Sequence, residues 1–179
     1  MIVAIRKFPE LDDLDKDILK MRKRRGADIK VIDTSAIIDG RVIDICDTKF
    51  LSGTIIVPRF ILQELHHLAD SPDAFKRARG RRGLDMLARL QENADIPLRI
   101  LDKDILEISE VDGKVVRLAR DMGAKVITTD FNLNKIAALE NVVCLNVNDL
   151  CTALKPVVLP GESMALFVMK EGKEREQGI

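Results

Sequence analysis

The sequence predicts an α/β fold built on a five-stranded, mostly parallel sheet, and three observations predict it. Short apolar runs, too brief for helices, alternate with longer stretches whose apolar residues recur at helical spacing, the pattern of strand and helix in turn. Turn and cap residues separate the two kinds of stretch. No uninterrupted apolar run approaches the roughly 20 residues that span a bilayer, while 46% hydrophobic residues in a chain of 179 can supply one sizeable core.

Taken in order, residues 1–29 hold Glu10, Asp12, Asp13, Asp15 and Asp17, then Arg22-Lys-Arg-Arg25-Gly26, and read as a charge-segregated leader or linker. Lys30-Val-Ile-Asp33 is a short apolar run ending in a carboxylate, followed by Thr34, Ser35 and Ala36-Ile-Ile38: strand, then helix. Thr54-Ile-Ile-Val57 is a second strand stopped by Pro58, after which Phe60, Ile61, Leu65, Leu68 and Ala69 share a helical face. Asp70-Ser-Pro-Asp73 breaks that helix and starts another, from Ala74 to about Gln91. Ile96 to Leu101 is a third strand, whose proline favours an edge position or the first turn of the strand.

Val115, Leu118, Ala119 and Met122 stand at i, i+3, i+4 and i+7, with Gly123 at the place of a C-cap, and form the clearest helix of the chain. Lys125 to Thr129 is a fourth strand running into Asp130, Leu133 to Glu140 is helical, Val142 to Val147 is a fifth strand, and Asn148 caps a last short helix. One domain over 30–154 results. Beyond it, Lys155-Pro156 and Pro160-Gly161 lead into the apolar run Met164 to Met169 and a charged end, so 155–179 is expected to be the truncated opening of a second, β-type unit.

Lys plus Arg number 29 and Asp plus Glu 29, so any attraction to nucleic acid must come from local clustering and not from net charge. Lys76, Arg77, Arg79, Arg81 and Arg82 are the densest cationic run inside the domain; Arg79, Arg81 and Arg82 are candidates to grip phosphate, against the plainer reading of a solvated helix face. Tryptophan and tyrosine are absent and only 6 Phe remain, which removes most base-stacking platforms and favours polar, backbone-directed contact. The 3 cysteines form no C-x-x-C pair and are expected to be reduced thiols of a cytoplasmic protein. Neither G-x-G-x-x-G nor G-x-x-x-x-G-K-[ST] occurs, so NAD and ATP are not supported. Glu64-Leu-His-His67 has the E-x-x-H spacing of di-iron bundles, but no second copy exists, and His66 and His67 are expected on the surface or at a cap.

The chemistry lies in the acids. Parallel sheets place ligands at the carboxyl ends of their strands, where Asp33 and Asp130 stand; if their strands are neighbours, both face one crevice. Glu64 lies on the rim of an apolar helix face, and Asp112 opens the stripe of the following helix. Each alone has a structural alternative: Asp33, Asp112 and Asp130 could cap helices, and Glu64 could pair with a cation. Four converging carboxylates repel one another and raise their pKa values unless cations offset them. Oxygen-only ligands suit Mg²⁺ or Mn²⁺ better than zinc, and a pair of such ions supports phosphodiester hydrolysis.

Asp33-Thr34-Ser35, Glu64 on a helix, Asp112 at a helix start and Thr128-Thr129-Asp130-Phe-Asn132-Leu-Asn134 resemble, in order and spacing, the PIN domain (PilT N-terminal) family of metal-dependent ribonucleases. Residues 31–41 and Arg77-Ala-Arg-Gly-Arg-Arg-Gly-Leu84 are most similar to its bacterial PIN/TRAM group, of the YacL type. The resemblance covers about residues 30–153. It implies a three-layer fold with helices on both sides of the sheet and makes Asp33, Glu64, Asp112 and Asp130 the catalytic metal ligands. It also implies Asn132 as a further polar ligand, with Thr34, Ser35 and Thr129 ordering water or phosphate, and residues 155–179 as the start of the nucleic-acid-binding TRAM unit.

The function so implied is a Mg²⁺- or Mn²⁺-dependent endoribonuclease acting on single-stranded RNA, expected as a homodimer. The alternative is a non-catalytic RNA-binding regulator whose PIN core is a docking or dimerisation platform. A toxin held by an antitoxin-like partner is disfavoured by the tail after Leu154. Relatives often carry transmembrane helices ahead of this domain, so a longer native chain could be membrane-tethered; the chain itself contains no membrane segment.

Overall fold

The computed structural model describes residues 28–92 and 97–155; the expected leader before Asp28 and the expected TRAM opening after Lys155 lie outside the described residues. The strands are β1 (Ile29–Ile32), β2 (Thr54–Pro58), β3 (Leu98–Leu101), β4 (Lys125–Thr128) and β5 (Cys144–Asn146). Between them run α1 (Thr34–Asp39), α2 (Arg41–Asp47), α3 (Arg59–Ala69), α4 (Ala74–Glu92), α5 (Val111–Met122) and α6 (Phe131–Leu139), and α7 (Val147–Ala153) follows the last strand.

All five strands are parallel, in the order β3-β2-β1-β4-β5. Helices α1 to α4 pack on one another, whereas α5 packs on α6 and across β1 and β4; right-handed crossovers put these two groups on opposite faces. With both faces covered, the central strands are continuously apolar, and Val31, Ile32, Ile55, Val57, Val126 and Ile127 are buried. The strand after Pro97 lies at the sheet's edge, as the proline predicted, with Arg99 and Ile100 exposed.

Helix α5 ends where its sequence says it should. Gly123 takes the left-handed conformation at φ 64°, and the Ala124 N–H turns back to the Ala119 carbonyl at 2.8 Å. The last helix corrects the sequence reading. Its cap is Asn146, not Asn148: β5 stops at Asn146, whose side-chain oxygen accepts from the N–H groups of Asn148 at 2.8 Å and Asp149 at 3.4 Å. Among the described residues no helix is long and apolar enough to cross a membrane.

Helices α3 and α4 form a close hairpin. A methyl group on Gly80 would lie 2.2 Å from the Ala69 nitrogen and one on Gly83 2.5 Å from Leu65 Cδ2. The glycines of Arg79-Gly-Arg-Arg-Gly83 are thus packing residues on the inner face of α4, and the exposed Arg79, Arg81 and Arg82 cover its outside.

Candidate functional site

From β1 the chain moves to β2 and β3 on one side, then returns to β4 on the other, so strand order reverses between β1 and β4. Parallel sheets open a ligand crevice at such a reversal, outside the strands' carboxyl ends. The register pairs Ile32 with Ile127 and brings Asp33, just past β1, beside Thr128. The two strands that precede Asp33 and Asp130 are neighbours.

Asp33 is buried, at 4% exposure. Its Oδ2 accepts from the Ser35 N–H at 3.2 Å, the Ser35 hydroxyl at 2.5 Å and the Thr128 hydroxyl at 2.9 Å. Asp130 caps α6, its Oδ1 accepting from the Asn132 N–H at 2.6 Å, while its own N–H donates to Thr128 Oγ1 at 2.9 Å. Glu64 is half-buried on α3, and its Oε2 accepts from the hydroxyl of Thr34. The capping alternative and the crevice position therefore coexist in Asp33 and Asp130. Each of the three acids spends one oxygen on the protein; Asp33 Oδ1, Glu64 Oε1 and Asp130 Oδ2 take no hydrogen bond among the described residues.

Asp112 differs. It lies in the first turn of α5 behind the cap residue Glu110, which makes no side-chain capping bond, so Asp112 is not the cap. Burial first, then the negative charges of Asp33, Asp130, Glu64 and Glu110, push its carboxyl above the ordinary range. That coupling ties all four acids to one region. Among the described residues none of the four, Glu64 included, forms an ion pair with lysine or arginine. The side chains nonetheless do not close on a common point: among the described residues no group of three or more His, Cys, Asp or Glu stands in a metal-holding arrangement.

The hydroxyls of Thr34 and Ser35, expected to order water or phosphate, are committed to Glu64 and Asp33 and orient those carboxylates instead. Thr129 contributes backbone: its N–H donates to Ser35 Oγ at 3.1 Å. The threonine that works through its side chain is Thr128, wholly buried, which sequence reasoning passed over although it stands in the same motif. Asn132 is exposed in the first turn of α6 and reaches Asp130 through its N–H. Arg79 and Arg81 are exposed on α4, whereas Arg82 spends one guanidinium nitrogen on the Asp39 carbonyl at 2.9 Å. That contact is at the far end of α1, about 9 Å along the helix from Asp33. His66 and His67 are exposed in the last turn of α3.

Ligand atoms of this kind suit a hard cation: oxygen only, anionic, and in Asp33, Glu64 and Asp130 held by a neighbouring hydroxyl or amide that fixes their direction.

The family model of the PIN domain matches residues 30–139. The chain is 50% identical over 187 residues to the uncharacterized PIN and TRAM-domain containing protein YacL of Bacillus subtilis (strain 168), a match covering 99% of this chain and 51% of that protein. It is 46% identical over 150 residues to an uncharacterized PIN and TRAM-domain containing protein of Synechocystis sp., covering 84% of this chain and 42% of that one. The chain thus spans about half the length of the curated relatives it matches. Among solved structures, a domain of a functionally unknown protein from Methanocaldococcus jannaschii DSM 2661 shares the fold with a TM-score of 0.58 at 18% identity, covering 79% of this chain and all of that one.

Proposed function

The chain belongs to the PIN domain family, a nuclease-type family whose members generally use divalent metal ions, and from that membership we propose that it is a Mg²⁺- or Mn²⁺-dependent endoribonuclease acting on single-stranded RNA. One observation carries the reading: the charges of Asp33, Asp130 and Glu64 all bear on Asp112, no lysine or arginine pairs with any of the four among the described residues, and three of them keep an oxygen that takes no hydrogen bond among those residues. Partly buried anions set near one another have a use when they hold a cation.

In this reading Asp33, Glu64, Asp112 and Asp130 are the ligands, with Asn132 at the rim. Held by these residues, a hard divalent ion would offset their charge and would supply stabilisation for the charge that develops on a phosphodiester during hydrolysis. The chain's own residues supply direction. Ser35 and Thr128 fix Asp33 from two elements, Thr34 ties Glu64 to the start of α1, and the turn at Asn132 fixes Asp130. Arg79, Arg81 and Arg82 on α4 hold the phosphates of the strand away from the cleaved bond.

The test is cleavage of a labelled single-stranded RNA with Mn²⁺ or Mg²⁺. Cleavage by the wild type, its loss in EDTA and a fall of at least about 100-fold in Asp33→Asn are expected, a scale typical of removing a group that stabilises transition-state charge. Cleavage at the wild-type rate in both EDTA and Asp33→Asn overturns the mechanism. The second reading, an RNA-binding regulator without turnover, is favoured by the carboxylates of the described residues not standing in a metal-holding arrangement. RNA binding without cleavage by the full protein in Mn²⁺ would establish it.

A further inference from the structure

A chain of polar contacts outside the four acids ends on the backbone beside one of them. Arg41, at the start of α2, grips Asp39 with two guanidinium nitrogens, Nε to Oδ1 at 2.6 Å and Nη2 to Oδ2 at 2.8 Å. The same Nη2 donates to the side-chain oxygen of Asn148 at 2.6 Å, and Nη1 donates to Cys151 Sγ at 3.1 Å. The Asn148 amide nitrogen then donates to the carbonyl of Thr129 at 2.9 Å. Arg82 closes the other end by donating to the Asp39 carbonyl at 2.9 Å.

The Thr129 carbonyl and the Asp130 N–H belong to one planar peptide unit. Its nitrogen is held by Thr128 Oγ1 at 2.9 Å and its oxygen by Asn148 at 2.9 Å, so side chains from two elements grip both polar atoms of the plane. The orientation of that plane fixes ψ of Thr129 and φ of Asp130, the backbone torsions on which the direction of the Asp130 side chain depends.

We propose that Asn148, oriented by the Asp39–Arg41 pair, is a positioning residue for Asp130, fixing the Thr129–Asp130 peptide through the Thr129 carbonyl. The side chain suits this task because an amide donates at one end and accepts at the other, which neither a carboxylate nor a hydrocarbon does. Asn148 is exposed, so water replaces its bonds easily and they add little to global stability. What they do is select one orientation of a peptide. A staple serving only to attach α7 would show the reverse, a stability effect spread along α7 and β5.

The inference rests on the proposed role of Asp130, and its test separates the two. Amide hydrogen exchange in the full chain without metal is measured by NMR for the wild type, Asn148→Ala, Asn148→Asp and Arg41→Ala. Exchange at Thr129 and Asp130 is expected to accelerate at least about 10-fold in Asn148→Ala, with the core amides of Val126 and Leu118 unchanged. Asn148→Asp keeps the acceptor for Arg41 but loses the donor to Thr129, and is expected to match Asn148→Ala at these two amides. Adding Arg41→Ala to Asn148→Ala should change little further. With Mn²⁺ and RNA, Asn148→Ala should lower kcat about 10-fold and leave KM unaltered.

Unchanged exchange at Thr129 and Asp130 in Asn148→Ala overturns the proposal, as does acceleration spread evenly over α7 and β5. An inactive wild type with the expected exchange pattern would remove the nuclease reading and leave the positioning of Asp130 standing.

Discussion

At the scale of single residues, Asp33 is informative because its two oxygens have different fates. Three donors saturate Oδ2, and Oδ1 takes none among the described residues. A carboxylate held this way keeps its direction without losing its capacity as a ligand. Asp112 has no such donor among the described residues and sits among like charges. Its raised folded-state pKa means that the folded chain holds this proton more tightly than the unfolded chain. In metal-free protein, stability therefore falls as pH rises from the ordinary value of 3.8 through the raised one, and returns as pH drops. Asp112→Asn should accordingly raise the metal-free Tm at pH 7, on a scale of about 2–4 °C per kcal/mol gained. The gain should fade toward pH 4, and the variant should lose RNA cleavage. Thermal melts in EDTA across this range check it; a lower Tm at pH 7 would contradict the repulsion.

Among the elements, the α3–α4 hairpin shows what a sequence motif can conceal. The Arg-Gly alternation of α4 puts cations on one side and the closest backbone approach on the other. Gly80→Ala sets a methyl group against the backbone of Leu68 and Ala69, at 2.2 to 2.7 Å, and neither can move without parting the helices. It should cost about 1–3 kcal/mol in urea unfolding, the usual penalty of overpacking. Gly83→Ala should cost less, since its nearest obstacle is the end of the Leu65 side chain. Equal costs would mean that the helices are not held at this distance. Asn146 makes the complementary point: two asparagines flank the start of α7, and only the length of β5 decides which becomes the cap.

For the whole molecule, the reversal of strand order between β1 and β4 gathers acids that the chain scatters over four elements, while net charge stays at zero. In the proposed function RNA affinity rests on local cations, and those of α4 are the candidates among the described residues. With Asp33→Asn as background to prevent cleavage, replacing Arg79 and Arg81 by Ala should flatten the slope of log affinity against log salt by ~0.7 for each phosphate no longer neutralised. An unchanged slope would assign these arginines to a solvated face. The PIN fold was legible here, its elements in order except for the short α2, because periodicity and breakers act over a few residues and strand ends fall where the pattern stops; the 7 residues of α2 were too few to show a period.

The sequence by itself determined the five strands and the helices other than α2, that Pro97 belongs to an edge or a first turn and Gly123 to a helix end, and which carboxylates stand at strand ends and helix starts. Only the tertiary structure decided that Thr128 rather than Thr129 holds Asp33, that Thr34 and Ser35 serve the carboxylates, and that Glu110 adds its charge to theirs. It also decided that Asn148 reaches back to Thr129. The reason is physical. Local pattern follows from interactions within a turn or a strand, whereas these contacts join segments distant along the chain, and strand register and helix packing, which no short stretch encodes, set which atoms meet.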